Sequence, residues 1–247
     1  ERDAAQAVVD SAAALVSEHV DLDAVLAVAQ AAAPLDAEPW SPVAALGLDA
    51  PTDLALRPRI AVAAGRAFTF RYAETTELLA AAGCDVIGFD PLTDPALPPD
   101  TAGLYLGGGF PEMYATDLAA NTPLLAQVRD AVRSALPTYA ECAGLLYLCR
   151  TLDGHPLAGA LPLTAGMSPR LTLGYNAFTA AHDGLVVRAG ETYRFHEFHR
   201  TTIEPADDHP HVGTSVQASY HHVHWAGHPE QARRFAAAAR AFAGRAR

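Results

Sequence analysis

Between residues 60 and 149, short apolar runs alternate with helix-patterned stretches, and this alternation constrains the fold more than any other feature. Residues 60–63, 86–89, 103–106 and 137–140 read as buried strands. Residues 75–82, with Gly83 suited to the C-terminal cap, a long helix within 118–136, and 144–149 read as helices. The order predicts an α/β fold: a doubly wound, mostly parallel sheet flanked by helices on both faces. Ligands of such sheets gather at the carboxyl ends of the strands. Beyond residue 160 the pattern changes. Residues 171–173, 177–180, 185–187 and 193–198 predict shorter strands in an antiparallel extension of the C-terminal half, and 229–243 a terminal helix.

Cys142 falls at a carboxyl end of this kind, in Tyr139-Ala140-Glu141-Cys142-Ala143-Gly144-Leu145. A strand that delivers a thiol to a tight turn before a helix is a nucleophile elbow. The helix dipole is expected to lower the thiol pKa, and the following amide to face a developing oxyanion. Tyr105-Leu106-Gly107-Gly108-Gly109-Phe110-Pro111-Glu112 repeats the strand-to-turn pattern with glycines that let the backbone approach a ligand. Tyr220-His221-His222-Val223-His224-Trp225 offers the base that a cysteine nucleophile needs.

In this order, the three segments resemble the glutaminase domains of cobyrinic acid a,c-diamide synthases, class I glutamine amidotransferases of the cobyrinate/cobyric acid type. Arg59-Ile60-Ala61-Val62-Ala63, Phe68-Thr69-Phe70, Leu171-Thr172-Leu173-Gly174-Tyr175 and His196-Glu197-Phe198-His199 support the likeness, which runs from Arg59 to the C-terminus. The resemblance implies Cys142 as nucleophile and His222 as base, with His224 the alternative base two residues on. It implies oxyanion or glutamine contacts from Gly108, Gly109, Ala143 and Glu141. Many relatives complete a triad through His-Pro-Glu; His228-Pro229-Glu230 matches only superficially, because proline suits a plain helix start. The position two after His222 is His224 rather than an acid, so the group that orients the base is open. Ala143 stands where the family usually has glycine, at a strain cost of about 1 kcal/mol or more if that position needs positive φ.

The resemblance further implies L-glutamine as substrate, a corrinoid (cobyrinate or hydrogenobyrinate) as acceptor, and an ATP-dependent synthetase domain that uses ATP and Mg2+. No Gly-x4-Gly-Lys-Ser/Thr loop occurs in this sequence, so that chemistry is expected elsewhere and no cofactor is expected in this chain. Residues 1–33 read as two helices, capped at the second by Asp21, and as the last helices of the synthetase domain. Residues 34–58, with Pro34, Pro39, Pro42, Pro51 and Pro58, read as a linker, and 59–247 as the glutaminase domain. Rival readings are a related amidotransferase (cobyric acid synthase or a cell-wall amidating type) and a non-catalytic scaffold.

Composition narrows the partners. The net charge of -11 and the lack of a concentrated basic patch argue against nucleic acid. No apolar run approaches the length of a membrane span, so no membrane partner is expected. Three cysteines without a regular framework argue against a secreted disulfide scaffold; Cys84 and Cys149 read as core residues. No metal site is expected from His196 and His199, which are three apart and lack an acid or cysteine cluster. Glu1-Arg2-Asp3 carries neither a signal-peptide pattern nor an initiator methionine, which suggests a cytoplasmic piece of a longer protein; a homodimer is an open assembly.

Overall fold

A computed structural model describes residues 2–50, 52, 57–205 and 211–245. Pro51 of the expected linker lies outside the described residues. Two compact units separate at Pro39, Glu1–Pro39 and Trp40–Arg247. The first holds α1 (Arg2–His19) and α2 (Leu22–Gln30). Asp21 caps α2 by accepting the Ala24 N–H at 2.9 Å. The apolar stripe residues Val8, Val9, Leu15, Val16, Leu22, Val25 and Leu26 are all exposed.

The second unit opens with a short helix, α3 (Pro42–Ala45), inside the Pro-rich stretch; Leu46 at its end is buried. There follow β1 (Arg59–Ala63), α4 (Ala73–Ala81), β2 (Asp85–Phe89), β3 (Thr101–Leu106), α5 (Ala115–Ala120), α6 (Thr122–Arg133), β4 (Thr138–Glu141) and α7 (Ala143–Leu148). Next come β5 (Thr151–Leu152), β6 (His155–Pro156), β7 (Thr164–Thr179), β8 (Thr192–Glu204), β9 (His211–Val212), β10 (Val216–Ser219) and α8 (Pro229–Arg245). The main sheet runs β2-β1-β3-β4-β10-β9, parallel except for β9.

The strands are apolar on both sides because both faces are covered. Ala61, Ala63, Leu104, Leu106 and Ala140 enter one core with Leu118 of α5, Val128 of α6 and Leu145 of α7. Their neighbours Ile60, Val62, Tyr105 and Tyr139 enter a second core with Leu78 of α4 and Phe235 of α8. The strand period of two thus sorts consecutive residues onto opposite faces.

Three local readings change. The expected long helix between 118 and 136 is two helices: Pro123 starts a new first turn, and Asn121 between them donates to the Pro91 and Asp94 carbonyls, each at 2.9 Å. The short strands expected after 160 merge into one long antiparallel hairpin, β7 on β8, with a register shift between Met167 and Thr172. Residues 185–187 form no strand. Leu185, Val186 and Val187 are buried in the second core as part of the connection between β7 and β8, so their apolar character reflects burial without sheet pairing.

One close approach fixes where α7 sits. A Cβ at Gly144 would lie 2.3 Å from the Leu106 carbonyl oxygen, and the Gly144 amide donates to Gly107 O at 3.1 Å. Gly144→Ala is expected to destabilise the second unit by about 1–3 kcal/mol through overpacking. Urea unfolding beside Gly174→Ala, where the added carbon meets nothing within 4 Å, checks this.

Candidate active site

The three motifs follow the carboxyl ends of three adjacent parallel strands: Gly107 after β3, Cys142 after β4, and the histidine segment after β10. Cys142 adopts φ 47° and ψ -98°, a conformation that L-residues rarely hold. Its amide donates to Ser219 O at 2.8 Å and its carbonyl accepts from Leu146 N at 3.0 Å, so β10 and α7 pin the strained turn from both sides. Ala143 is not among the residues with positive φ; the strain resides at Cys142 itself. Alanine therefore costs no backbone strain here, and its methyl packs in the first core.

Cys142 and His222, 80 residues apart in sequence, line one cavity of about 260 Å3, together with Gly109, Phe70, His196 and Phe198. Neither the Gly109 amide nor the Ala143 amide has a hydrogen-bond acceptor among the described residues. These two N–H groups form the candidate oxyanion pair. Gly108 differs from expectation. Its N–H donates to Phe70 O at 3.0 Å and its carbonyl accepts from Phe70 N at 3.1 Å, so the amide is already used. Gly108 instead makes room: a Cβ there would lie 2.5 Å from His222 Cε1.

Glu141 also differs. Strand alternation sends it to the face opposite Cys142, where it is fully buried and lines neither cavity that Cys142 lines. Its carboxylate accepts the Val223 N–H at 3.1 Å and the Tyr105 hydroxyl at 3.2 Å. It therefore anchors the backbone one residue from His222 rather than reaching for glutamine. Burial raises its pKa from 4.5 to about 7, against the three hydrogen bonds that pull it down.

The two histidine candidates part company. Only His222 keeps a strand-like bridge, with His222 N to His196 O at 2.9 Å and His196 N to His222 O at 3.2 Å. Both side chains line a neighbouring cavity of about 630 Å3, but only His222 also lines the cavity that Cys142 lines. His224 packs on Tyr72 with the rings tilted by 36° and centroids 4.6 Å apart, and places Nε2 3.4 Å from Glu74. His228 sits 3.6 Å from Glu230 at the start of α8, so that pair is a local one.

No acid serves His222: its Nδ1 is buried without a partner among the described residues. The ring is held by packing. His196 stacks on it at 4.7 Å and 13°, and Phe70 meets it edge-on at 4.9 Å. His196, part of a stretch that supports the family likeness, is thus a supporting residue of the site. His196-Glu197-Phe198-His199 lies in β8, over the strand expected at 193–198, and His199 stacks on Tyr220. Among the described residues no group of three or more metal-ligating side chains converges.

Burial dominates the electrostatics. It pushes the Cys142 thiol up to about 12, assisted by Glu112, Glu141 and Glu197, while the Ala143 amide pulls it down. The expected thiolate is overridden, since a six-residue helix gives too small a dipole to offset near-complete burial. Burial likewise lowers His222 to about 3, with His196, His199 and His221 adding to the effect. Both partners rest neutral, so a proton moves from sulfur to imidazole only when a substrate stabilises the charge.

A carboxyl with a raised folded-state pKa contributes stability that is present below its ordinary 4.5 and lost as pH rises through about 7. Glu141→Gln keeps an acceptor for Val223 and cannot titrate. Its stability is expected to fall less than the parent's across this window, by on the order of 3 kcal/mol. Chemical denaturation at stepped pH reads the difference; parallel profiles would overturn the assignment.

Comparison with known proteins agrees with this geometry. Residues 59–230 match the CobB/CobQ-like glutamine amidotransferase domain. Hydrogenobyrinate a,c-diamide synthase of Thermobifida fusca is 50% identical over 96% of this chain and 55% of its own length. The Streptomyces coelicolor protein of that name is 44% identical over 92% of this chain and 55% of its own length. Cobyrinate a,c-diamide synthase of Gloeobacter violaceus is 43% identical over 72% of this chain and 42% of its own length. The chain spans about half the length of the curated relatives it matches. Among solved structures, a glutamine amidotransferase superposes with a TM-score of 0.51 at 17% identity, covering 75% of this chain and 98% of its own. PurLQS from Thermotoga maritima gives 0.50 at 14%, covering 73% and 96%. The fold is that of class I glutamine amidotransferases, and the chain belongs to the CobB/CobQ-like glutamine amidotransferase domain family.

Proposed function

We propose that this chain hydrolyses L-glutamine to glutamate and ammonia, with Cys142 as nucleophile and His222 as base. The observation that carries the reading is the shared cavity: Cys142, His222 and Gly109 line it together, and the Gly109 and Ala143 amides are left without acceptors among the described residues. His222 takes the thiol proton as sulfur attacks the side-chain carbonyl carbon, and the Gly109 and Ala143 amides stabilise the oxyanion. Imidazolium returns the proton to the departing nitrogen as the C–N bond breaks, releasing ammonia and leaving a thioester. His222 then activates water, which hydrolyses the thioester to glutamate and restores the thiol. Stacking by His196 and the anchor from Glu141 to Val223 keep the imidazole in place without an acid partner.

The ammonia would amidate the a and c acetate carboxylates of a corrinoid in cobalamin biosynthesis. The relatives named for hydrogenobyrinate are 41–50% identical over 92–96% of this chain, whereas those named for cobyrinate are 34–43% identical over 69–84%, which favours the cobalt-free acceptor. ATP and Mg2+ would activate the carboxylate on a synthetase domain of the kind those longer relatives have room for. The exposed apolar residues of α1 and α2 favour the reading of residues 1–33 as helices that pack on that domain. A cytoplasmic setting fits this biosynthetic role; among the described residues no helix is long and apolar enough to cross a membrane.

Glutamate release by the purified chain, alone and with the synthetase domain added, tests the reading. Cys142→Ser is expected to abolish it, and His222→Ala to lower kcat by about 100-fold or more. His224→Ala is expected to stay within about threefold of the parent, a change below 1 kcal/mol. Loss of activity in His224→Ala with retention in His222→Ala would transfer the base to His224.

A further inference from the structure

Three carboxylates act on the Cys142 thiol, and two are already engaged. Glu141 is bonded to Val223 and Tyr105 behind the sheet, and Glu197 lies 3.8 Å from His199 Nε2. Glu112 is different. It follows the glycine turn at the start of a short 3-10 helix, is partly buried, and has no side-chain partner among the described residues. It lines a second cavity of about 230 Å3 that Cys142, Gly109 and Arg200 also line. Arg200 is exposed there; among the described residues its guanidinium makes one long bond, to Pro169 O at 3.5 Å.

An unpaired carboxylate beside a nucleophilic sulfur works against thiolate formation, and among the charges near the sulfur Glu112 has the largest effect. Such a group harms the chemistry unless a cation arrives to neutralise it. The substrate class already inferred carries one, an α-ammonium, and beside it an α-carboxylate that a guanidinium suits. The cavity is smaller than the roughly 300–1,000 Å3 typical of drug-sized ligand sites, so it fits a single small amino acid.

We propose that Glu112 binds the α-ammonium and Arg200 the α-carboxylate of the amino-acid substrate, and that the ammonium lifts a restraint which Glu112 places on Cys142. The inference deepens the glutaminase reading and rests on it. Glu112 is thereby a specificity-determining residue that couples recognition to activation: it adds to the burial that keeps the thiol neutral, and a ligand with a positive α-substituent removes that added part. Glutamine is favoured over amides that lack the ammonium, because only the former cancels the charge.

The test sets two readouts against each other in the parent, Glu112→Gln, Arg200→Gln and Cys142→Ser. The first is the rate of iodoacetamide alkylation at Cys142, followed on its peptide by mass spectrometry, with and without L-glutamine. The second is glutamate release. Glu112→Gln is expected to alkylate several-fold faster than the parent without glutamine, yet to raise KM for glutamine about tenfold or more. A loosened fold would speed alkylation at every pH, whereas removing the Glu112 charge shifts the alkylation profile to lower pH, so the rate is followed against pH. Arg200→Gln is expected to raise KM and leave alkylation at the parent rate. The analogue 4-carbamoylbutanoate, which keeps the carboxylate and lacks the α-ammonium, is expected to bind Glu112→Gln at least as well as the parent, the reverse of the order for glutamine. Parent-rate or slower alkylation in Glu112→Gln, or an unchanged KM, overturns the Glu112 assignment while the parent still turns over glutamine. A parent that neither releases glutamate nor is protected by L-glutamine from alkylation overturns the glutaminase reading and this inference with it.

Discussion

The structure of the site depends on one strained residue. Cys142 turns the chain from β4 into α7 at positive φ, a conformation costing of order 1–3 kcal/mol that persists only where the surroundings fix it. Here the Cys142 amide is tied to β10 through Ser219, and the next turn is tied to β3 through Gly144 and Gly107. Those bonds join the three strands whose ends carry the three motifs. Straightening the turn would move the thiol and separate α7 from β3, so the elbow is also the point where the site and the fold are the same object.

The neutral pair that results has a chemical logic. Burial removes water from the nucleophile and the proposed base alike, which disfavours charge on both. In such a cavity the fixed amides of Gly109 and Ala143 gain in strength, because no water competes for the developing oxyanion. At rest the thiol stays protonated, and in the proposed reaction charge separation waits for the substrate amide.

Support for the imidazole comes from shape rather than from an ion pair. Where an acid would fix a histidine by hydrogen bonding, His196 and Phe70 hold it by ring contacts, Gly108 leaves it space, and Glu141 secures the adjacent backbone from the other face of the sheet. A buried glutamate next to Cys142 thus acts at the end of the neighbouring strand β10, and Tyr105 helps to orient it.

Much of this was legible in the residues. The alternation of apolar runs determined a doubly wound sheet, because a strand covered on both faces must be apolar throughout. The glycine turn, the cysteine and the histidine segment marked their own strand ends, since tight turns restrict which residues can occupy them. Tertiary structure decided the rest. Which amide remains free, Gly109 rather than Gly108, follows from the bridge to Phe70, 38 residues away in sequence and invisible to local pattern. That His222 rather than His224 shares the cavity follows from the bridge that seats it beside His196, and the split of Glu141 from Cys142 from which face each strand residue meets. The thiol's state was set by burial, a property of the packed whole that outweighs a short helix's dipole. Sequence fixes what each segment can form; long-range packing fixes which polar groups are left unpaired, and it is those groups that do chemistry.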